Sequence, residues 1–298
     1  MARKKRGIPI HGWLNIDKPV GMSSAQVVGA VKRITNAQKA GHAGTLDPFA
    51  TGILPIALGE ATKTVGYIVS DVKNYQFTAR WGQATNTDDI EGDVVDQSDI
   101  RPSLQIIENT IPSFLGTLSQ RPPAYSAIKI DGKRAYKLAR EGVEVKIPER
   151  DVEIHALTLV RLIDPDHAVF DVCCGKGTYI RSLARDLAIK MGTVAHLTEL
   201  RRTRVGPFLE NDAISLDKLE KLWQCPAEFE ALLPITTALD DIPAVAITET
   251  QAIRFRHGND VATPNLADGI VCAMDGNNPI GIAKVEEERL FPIRVFNI

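Results

Sequence analysis

The stretch Gly41–Gly52 reads GHAGTLDPFATG, and it has the composition of a shaped loop rather than the period of a helix or strand. Pro48 restricts the backbone of Asp47, because a residue before proline is pushed out of the helical region. Gly44 and Gly52 allow the chain to bend sharply on either side. The pattern predicts a loop that aims the carboxylate of Asp47. Taken alone, an Asp-Pro pair more often only begins a turn.

The segments around this loop alternate between strand and helix patterns. Trp13–Ile16 is typical of a short strand, and Ser23 with Gln26 forms the capping-box pattern that begins a helix. Apolar residues at alternating or continuous positions predict strands at Tyr75, Phe77, Ala79 and Trp81, and at Phe170–Cys174. Apolar residues at helical spacing predict helices through Val27, Val28, Val31 and Ile34, through Leu104–Ile111 behind Ser103, and through Ile180, Leu183, Ala184, Leu187 and Ala188 behind a cap at Thr178.

The C-terminal part has a different pattern, with short apolar runs separated by Gly, Asn and Pro. The runs are Val245–Ile247, Ile270–Met274, Ile280–Val285 and Leu290–Phe296. This spacing predicts a compact all-β module. We place the boundary near Ile242, so that residues 1–241 form the larger domain and residues 242–298 the module.

Composition excludes a strongly basic nucleic-acid-binding domain. The chain has 298 residues, of which 44% are hydrophobic and 24% charged, and its formal net charge is −2. If the protein binds RNA, its positive charge must therefore be local. The candidate basic segments are Arg3–Arg6, Lys129–Arg140 with Lys133 and Arg134, and Arg201, Arg202 and Arg204. Taken alone, each is better explained as a solvated surface.

The sequence also predicts no membrane, metal or nucleotide-cofactor site. The apolar run Ile53–Leu58 is far shorter than the roughly 20 residues of a spanning helix. The basic start is not followed by the apolar segment of a secretory signal. Four cysteines without a C-x-x-C pair do not predict zinc or disulfides, and a reducing cytoplasm fits. Gly59–Thr64 lacks the glycine that a phosphate loop needs before its lysine, and Asn86–Asp93 lacks the ligand spacing of a calcium loop.

Several long motifs resemble the TruB family of tRNA pseudouridine synthases, with GHAGTLDPFATG similar to the family's signature. The others, in the family's order, are LNIDKPVGMSS (Leu14–Ser24), TARWGQATNTDDIEGDVV after Tyr75, QRPPAYSAIKIDGKRAYKLAREG (Gln120–Gly142), CGKGTYIRSLARDLA (Cys174–Ala188) and LRRTRVGPF (Leu200–Phe208). The C-terminal segment resembles the small RNA-binding PUA module, chiefly through Gly281–Asn297.

The resemblance implies an α+β pseudouridine synthase fold, in which a largely antiparallel mixed sheet is flanked by helices. It implies a bacterial enzyme that isomerises the T-loop uridine at position 55 of elongator tRNAs. The expected partner is the tRNA T stem-loop, without a guide RNA, an obligate protein partner, a cofactor or a metal. A cytoplasmic location is expected. The reaction breaks a C–N bond and makes a C–C bond to the same ribose, so it requires no redox group.

The resemblance also assigns roles to individual residues. It implies that Asp47, Tyr75 and Arg181 are catalytic, with Arg181 paired to Asp47. It implies that His42, Tyr75, Tyr179 and Leu200 contact the substrate, and that Lys18 belongs to this group as a support of the loop. The residues expected to face RNA phosphates are Lys129, Lys133, Arg134, Arg140, Arg201 and Arg202.

Other interpretations remain open from the residues themselves. Arg181 could be an ordinary surface arginine paired along its own helix, and Tyr75 and Leu200 could be core residues. An RNA-binding or tRNA-folding protein without catalysis is the main alternative function. A glycoside hydrolase using Asp47 with a carboxylate from Asp88 or Asp89 is a more remote one. Nor do the residues decide whether an ionised Asp47 attacks the uracil or the ribose C1′.

Overall fold

We describe the fold from a computed structural model that covers residues 7–69, 72–126, 128–130, 132–141, 147–225 and 230–298. Its helices are α1 (Ser24–Thr35), α2 (Val65–Val69), α3 (Leu104–Thr110), α4 (Ala135–Arg140), α5 (Ile180–Lys190), α6 (Leu216–Trp223) and α7 (Glu249–Arg256). Its strands are β1 (Gly12–Lys18), β2 (Ala40–His42), β3 (Thr51–Leu58), β4 (Lys73–Trp81), β5 (Gln83–Thr85), β6 (Val94–Gln97), β7 (Gly116–Gln120), β8 (Lys129–Ile130), β9 (Lys133–Arg134), β10 (Arg150–Asp164), β11 (His167–Cys174), β12 (Ala195–Val205), β13 (Phe208–Leu209), β14 (Ala244–Ala246), β15 (Val261–Ala262), β16 (Gly269–Asp275), β17 (Asn278–Glu286) and β18 (Arg289–Val295).

The larger domain is built on one mixed sheet. Its strands run in the order β1-β3-β12-β4-β11-β10-β7, with β2 added to β3 and β13 to β12. Neighbouring strands are antiparallel except β3 and β12, whose parallel register pairs Thr51 with Arg201 and Gly52 with Arg202. This parallel pairing brings the end of the loop Gly41–Gly52 against the middle of β12.

Both faces of the sheet are buried around β3. Successive residues of this strand point to opposite faces. Leu54 and Ile56 pack with α1 and α5 in one hydrophobic cluster, whereas Ile53 and Ala57 pack in a second cluster on the other face. A strand covered on both sides reads as a continuous apolar run, which explains the sequence of this segment.

The C-terminal module is a separate sheet in the order β14-β16-β17-β18-β15. It closes the second cluster, because Ile282 and Phe296 pack there against Trp13 and Phe208 of the larger domain. Lys63 also donates a hydrogen bond to the carbonyl of Val295 at 2.6 Å. The module is therefore packed against the sheet rather than tethered to it.

The predicted α+β fold class is confirmed. The C-terminal module predicted as all-β is a five-stranded sheet, and it also contains the helix α7. Among the helices, α1 has the predicted capping box on Ser23. The predicted cap at Thr178 is wrong: α5 is preceded by Tyr179, which makes no side-chain cap, and the Thr178 hydroxyl donates to the Gly175 carbonyl. No helix in the part of the chain described here is long and apolar enough to cross a membrane.

Candidate active site

The loop Gly41–Gly52 takes its shape from two glycines with positive φ. Gly44 has φ +83° and Gly52 has φ +98°. A Cβ on Gly52 would lie 2.2 Å from the backbone oxygen of Arg202, on the neighbouring parallel strand. Only glycine meets both requirements, since it lacks the Cβ and tolerates positive φ. The close approach of the β3 and β12 backbones thus fixes where the loop ends.

Side chains of the preceding segment anchor the loop by its backbone. The Ser24 hydroxyl accepts a hydrogen bond from the Leu46 N–H at 2.8 Å and donates to the Leu46 carbonyl at 3.1 Å. On the other side of Asp47, the Gly21 N–H donates to the Pro48 carbonyl at 2.8 Å. Because both neighbours of Asp47 are held, the carboxylate has a defined direction.

Lys18 is a support and not a substrate ligand, which corrects its placement among the substrate-binding residues. Its side chain is fully buried. The ammonium donates to the carbonyls of Pro19, Met22 and Pro48 at 2.9, 2.6 and 3.1 Å. Three donors on three carbonyls leave the ammonium none for a ligand. Its charge nevertheless lies close enough to Asp47 to favour the ionised carboxylate.

Arg181 connects Asp47 to a second carboxylate. Its Nε lies 3.0 Å from Oδ2 of Asp47, and its Nη1 lies 3.1 Å from Oδ2 of Asp89. The guanidinium also donates to the carbonyls of Thr87 and Tyr125 at 2.8 and 2.9 Å. Its side chain is only 4% exposed, whereas that of Asp47 is 33% exposed. The buried cation is therefore fixed, and Asp47 is the member of the network that faces solvent.

The pairing of Arg181 along its own helix is wrong. Arg185 occupies that position, 2.9 Å from both Asp186 and Asp88. No sequence pattern predicted the structural role of Asp89, which lies in the acidic segment Asn86–Asp93. Both oxygens of Asp89 have partners. Oδ1 accepts from the Thr87 hydroxyl and the Glu91 N–H, and Oδ2 pairs with Arg181. Asp88 and Asp89 are thus both held in ion pairs, and neither is presented as the general acid of a paired-carboxylate hydrolase.

Burial raises the pKa of Asp47, and the charge of Asp89 acts in the same direction. The guanidinium of Arg181 and the ammonium of Lys18 oppose this rise. The carboxylate is thus destabilised by desolvation and partly stabilised by two fixed cations. A carboxylate of this kind is a stronger nucleophile than one that is fully solvated.

Asp47 and Arg181 lie between two adjacent pockets. The smaller has a volume of about 240 Å³, and Tyr75, Tyr179 and Leu200 line it together with this pair. The larger has a volume of about 710 Å³ and includes His42. The smaller pocket thus has walls suited to one planar ring, and Asp47 lines it where the two pockets adjoin.

Tyr75 and Leu200 are mostly buried and reach the pocket from β4 and β12. Burial raises the pKa of the Tyr75 phenol, although the nearby guanidinium of Arg202 lowers it. The phenol is therefore neutral at physiological pH. Burial, together with Arg202, also lowers the pKa of His42. The imidazole is thus uncharged near neutral pH, which suits a stacking surface.

The basic residues predicted to face RNA fall into different environments. Arg202 is 1% exposed, and its guanidinium donates to the carbonyls of Ile53 and Gly44 at 2.7 and 3.0 Å. Its predicted phosphate contact is wrong, because the guanidinium is buried and bound to these two carbonyls. Arg201 is paired with both Asp17 and Glu210.

Lys133 is exposed on β9 and remains a candidate for a phosphate contact. The side chains predicted at Lys129, Arg134 and Arg140 lie outside the described part of the structure.

Three family models together match most of the chain. The model described as "TruB family pseudouridylate synthase (N terminal domain)" matches residues 32–180. The "tRNA pseudouridylate synthase B C-terminal domain" matches residues 181–240, and "Pseudouridine synthase II TruB, C-terminal" matches residues 243–296.

Two relatives that share one printed name align over 97% or more of this chain. "tRNA pseudouridine synthase B" of Caulobacter sp. (strain K31) is 47% identical and covers 100% of both chains. That of Bradyrhizobium diazoefficiens is 51% identical and covers 97% of this chain and 86% of its own. Among solved structures, a chain from an H/ACA RNP bound to a substrate RNA containing 2′-deoxyuridine superposes with a TM-score of 0.75 at 25% identity, covering 100% of this chain and 92% of that one. A chain of a Cbf5-Nop10-Gar1 complex gives a TM-score of 0.73 at 28% identity, covering 96% and 84%.

Proposed function

Because the chain belongs to the TruB family of pseudouridylate synthases, we propose that it isomerises uridine to pseudouridine in tRNA, at position 55 of the T loop. The observation that carries this proposal is the position of Asp47. Asp47 lines the smaller pocket together with two tyrosines, and its carboxylate is ion-paired to the buried Arg181 at 3.0 Å.

The pocket supports a mechanism in which the target base leaves the RNA stack. Extruding a base costs a few kcal/mol, and stacking on an aromatic side chain returns about 1–3 kcal/mol. Tyr75, Tyr179 and Leu200 would enclose the extruded uracil beside Asp47. His42, in the adjoining pocket, would stack where the base has left the RNA.

The reaction balances without any further reactant. The bond between N1 of uracil and C1′ of ribose breaks, and a bond between C5 and C1′ forms. C5 loses a proton and N1 gains one. We assign Asp47 the role of a transient nucleophile: its carboxylate would form a bond to the uracil ring or to C1′, and that bond would break again before pseudouridine is released, with Arg181 holding its charge and direction. Tyr75 would pack against the uracil and accept the C5 proton only by passing on its own, since its phenol is protonated in the free site.

The expected substrate is tRNA itself. The protein would act on it in the cytoplasm, without a guide RNA or an obligate protein partner. Lys133 would contribute to the phosphate contacts. No metal or cofactor would take part in the isomerisation. A non-catalytic tRNA-folding role is the alternative that the same experiment has to exclude.

The test is to incubate the purified protein with an unmodified elongator tRNA transcript, without guide RNA, and to map pseudouridine. We expect stoichiometric conversion of the T-loop uridine, and none in a transcript carrying cytidine there. Release of free uracil would instead indicate hydrolysis. Tight binding without conversion would indicate the folding role.

A further inference from the structure

Gln120, the last residue of β7, holds the backbone of Tyr179 from both sides. Its Oε1 accepts a hydrogen bond from the Tyr179 N–H at 2.8 Å, and its Nε2 donates to the Tyr179 carbonyl at 3.2 Å. The side chain is 3% exposed. A buried amide that bonds to both backbone groups of one distant residue fixes its position and its orientation.

This contact holds the residue that begins α5, although it leaves the N–H groups of the first helical turn without a side-chain cap. Tyr179 occupies the N-cap position of α5, where a short polar side chain usually accepts from the first turn, and its own side chain makes no such bond. The tyrosine ring is thus free to point into the smaller pocket, while the backbone is fixed by Gln120 from another strand.

The strand partner of Gln120 restrains the ring as well. Arg150 of β10 lies opposite Gln120 in the antiparallel register. Its guanidinium carbon lies 5.0 Å from the centroid of the Tyr179 ring, within the range of a cation–π contact. It also donates to the Gly177 carbonyl. One strand pair therefore holds both the backbone and the ring of Tyr179.

We propose that Gln120 is a positioning residue for pseudouridine formation, acting through Tyr179 to set the wall of the uracil pocket. This inference rests on the proposed function. A merely structural role would be a tie between β7 and α5. The molecule offers a matched control, because the Ser182 hydroxyl donates to the Arg121 carbonyl at 2.9 Å and joins the same two segments through a bond that does not involve Tyr179.

The experiment compares Gln120→Ala with Ser182→Ala in single-turnover conversion of the tRNA transcript. We expect Gln120→Ala to lower the rate about 10-fold to 100-fold, as a small misplacement near reacting atoms does, with tRNA affinity within about twofold of wild type. Ser182→Ala should stay within about threefold in rate. Equal decreases in the two variants would overturn the proposal.

A second readout does not depend on turnover. With 3-fluorotyrosine placed at position 179, Gln120→Ala should shift or broaden the fluorine resonance, whereas Ser182→Ala should leave it as in wild type. An unchanged resonance in Gln120→Ala would also overturn the proposal.

If Gln120→Ala fails to fold, Gln120→Met serves in its place. It keeps the length of the side chain and removes both hydrogen bonds to Tyr179, so it should show a lowered rate and a shifted resonance. Wild-type rate and resonance in Gln120→Met would then be the overturning result. Failure of the wild-type protein to convert tRNA would refute the proposed function instead, and the resonance comparison would still judge the positioning role.

Discussion

The Nε atom of Arg181 lies 3.0 Å from Oδ2 of Asp47, and the arginine is the buried partner while the aspartate faces the pockets. Removing water from an ion pair costs free energy, and further hydrogen bonds must offset that cost. Here two backbone carbonyls accept hydrogen bonds from the arginine, and Asp89 adds a second ion pair. The pair is thus built to keep one carboxylate aimed at a ligand.

Asp47→Asn should abolish turnover and spare binding. The amide has nearly the same shape but is not a nucleophile, so the single-turnover rate should fall by about 1,000-fold or more. Arg181 keeps its contact with Asp89, so the protein should fold and bind tRNA with unchanged affinity. Asp99→Asn, at an exposed position, is the control. Full activity in Asp47→Asn would refute the catalytic assignment.

Activity should fall on the acid side at a higher pH than an ordinary carboxyl group predicts. Burial raises the pKa of Asp47, and only the ionised form can attack. The single-turnover rate measured between about pH 4 and pH 8 should therefore show an acid limb whose midpoint lies above the usual value of about 4. A rate independent of pH across that range would contradict the assignment.

The same shift has a consequence for stability. A raised folded-state pKa means that the neutral carboxyl stabilises the fold below the ordinary pKa, and that this contribution is lost as pH rises through the raised value. Asp47→Asn resembles the neutral form, so its Tm should exceed that of wild type at about pH 8, with a smaller difference at about pH 4. Thermal denaturation at both pH values measures it, and a larger difference at low pH would contradict the sign.

Gly52→Ala should be far more harmful than Gly21→Ala. Both glycines have positive φ, but a Cβ on Gly52 would lie 2.2 Å from the Arg202 oxygen, and one on Gly21 would meet nothing within 4 Å. Strain alone costs about 1–2 kcal/mol. The clash should bring the loss at Gly52 to about 3 kcal/mol or more of unfolding free energy. Denaturant titration of the two variants compares them directly. Equal losses of unfolding free energy would show that the β3 and β12 backbones can move apart to admit the added Cβ.

Local patterns were enough to predict most of the elements around the site. The alternation through Tyr75 and Trp81 and the helical spacing through Leu183 and Leu187 depend only on near neighbours, and these segments form the expected strand and helix. The pairing of Asp47 with Arg181 came from family resemblance, since no local pattern joins segments so distant. The hydrogen bonds of Gln120 to Tyr179 could not be predicted from the sequence, because a single glutamine at the end of a strand belongs to no repeating pattern.

The burial of Arg202 did have a signal. Alternate residues of a strand share a face, so Arg202 lies on the side of Leu200, and Arg201 lies on the other. Leu200 and Arg202 are both buried, while Arg201 is partly exposed. Treating the two arginines as one basic patch ignored this alternation.

Arg202 and Lys133 should therefore separate in the salt dependence of tRNA binding. Removing a side chain that neutralises one phosphate lowers the slope of log K against log salt by about 0.7–0.9. Lys133→Ala should show that decrease and leave the Tm nearly unchanged, because its side chain is exposed. Arg202→Met should keep the wild-type slope, because its guanidinium binds the carbonyls of Gly44 and Ile53 rather than a phosphate.

The effect of Arg202→Met should appear in stability instead. Each buried carbonyl left without a donor costs about 1–3 kcal/mol, so the unfolding free energy should fall by roughly 2–6 kcal/mol if neither carbonyl keeps a partner. Turnover should fall with it, since Gly44 belongs to the loop that aims Asp47. A reduced salt slope with unchanged Tm would restore Arg202 to the RNA surface, and would mean that the loop keeps its shape without the two bonds from this guanidinium.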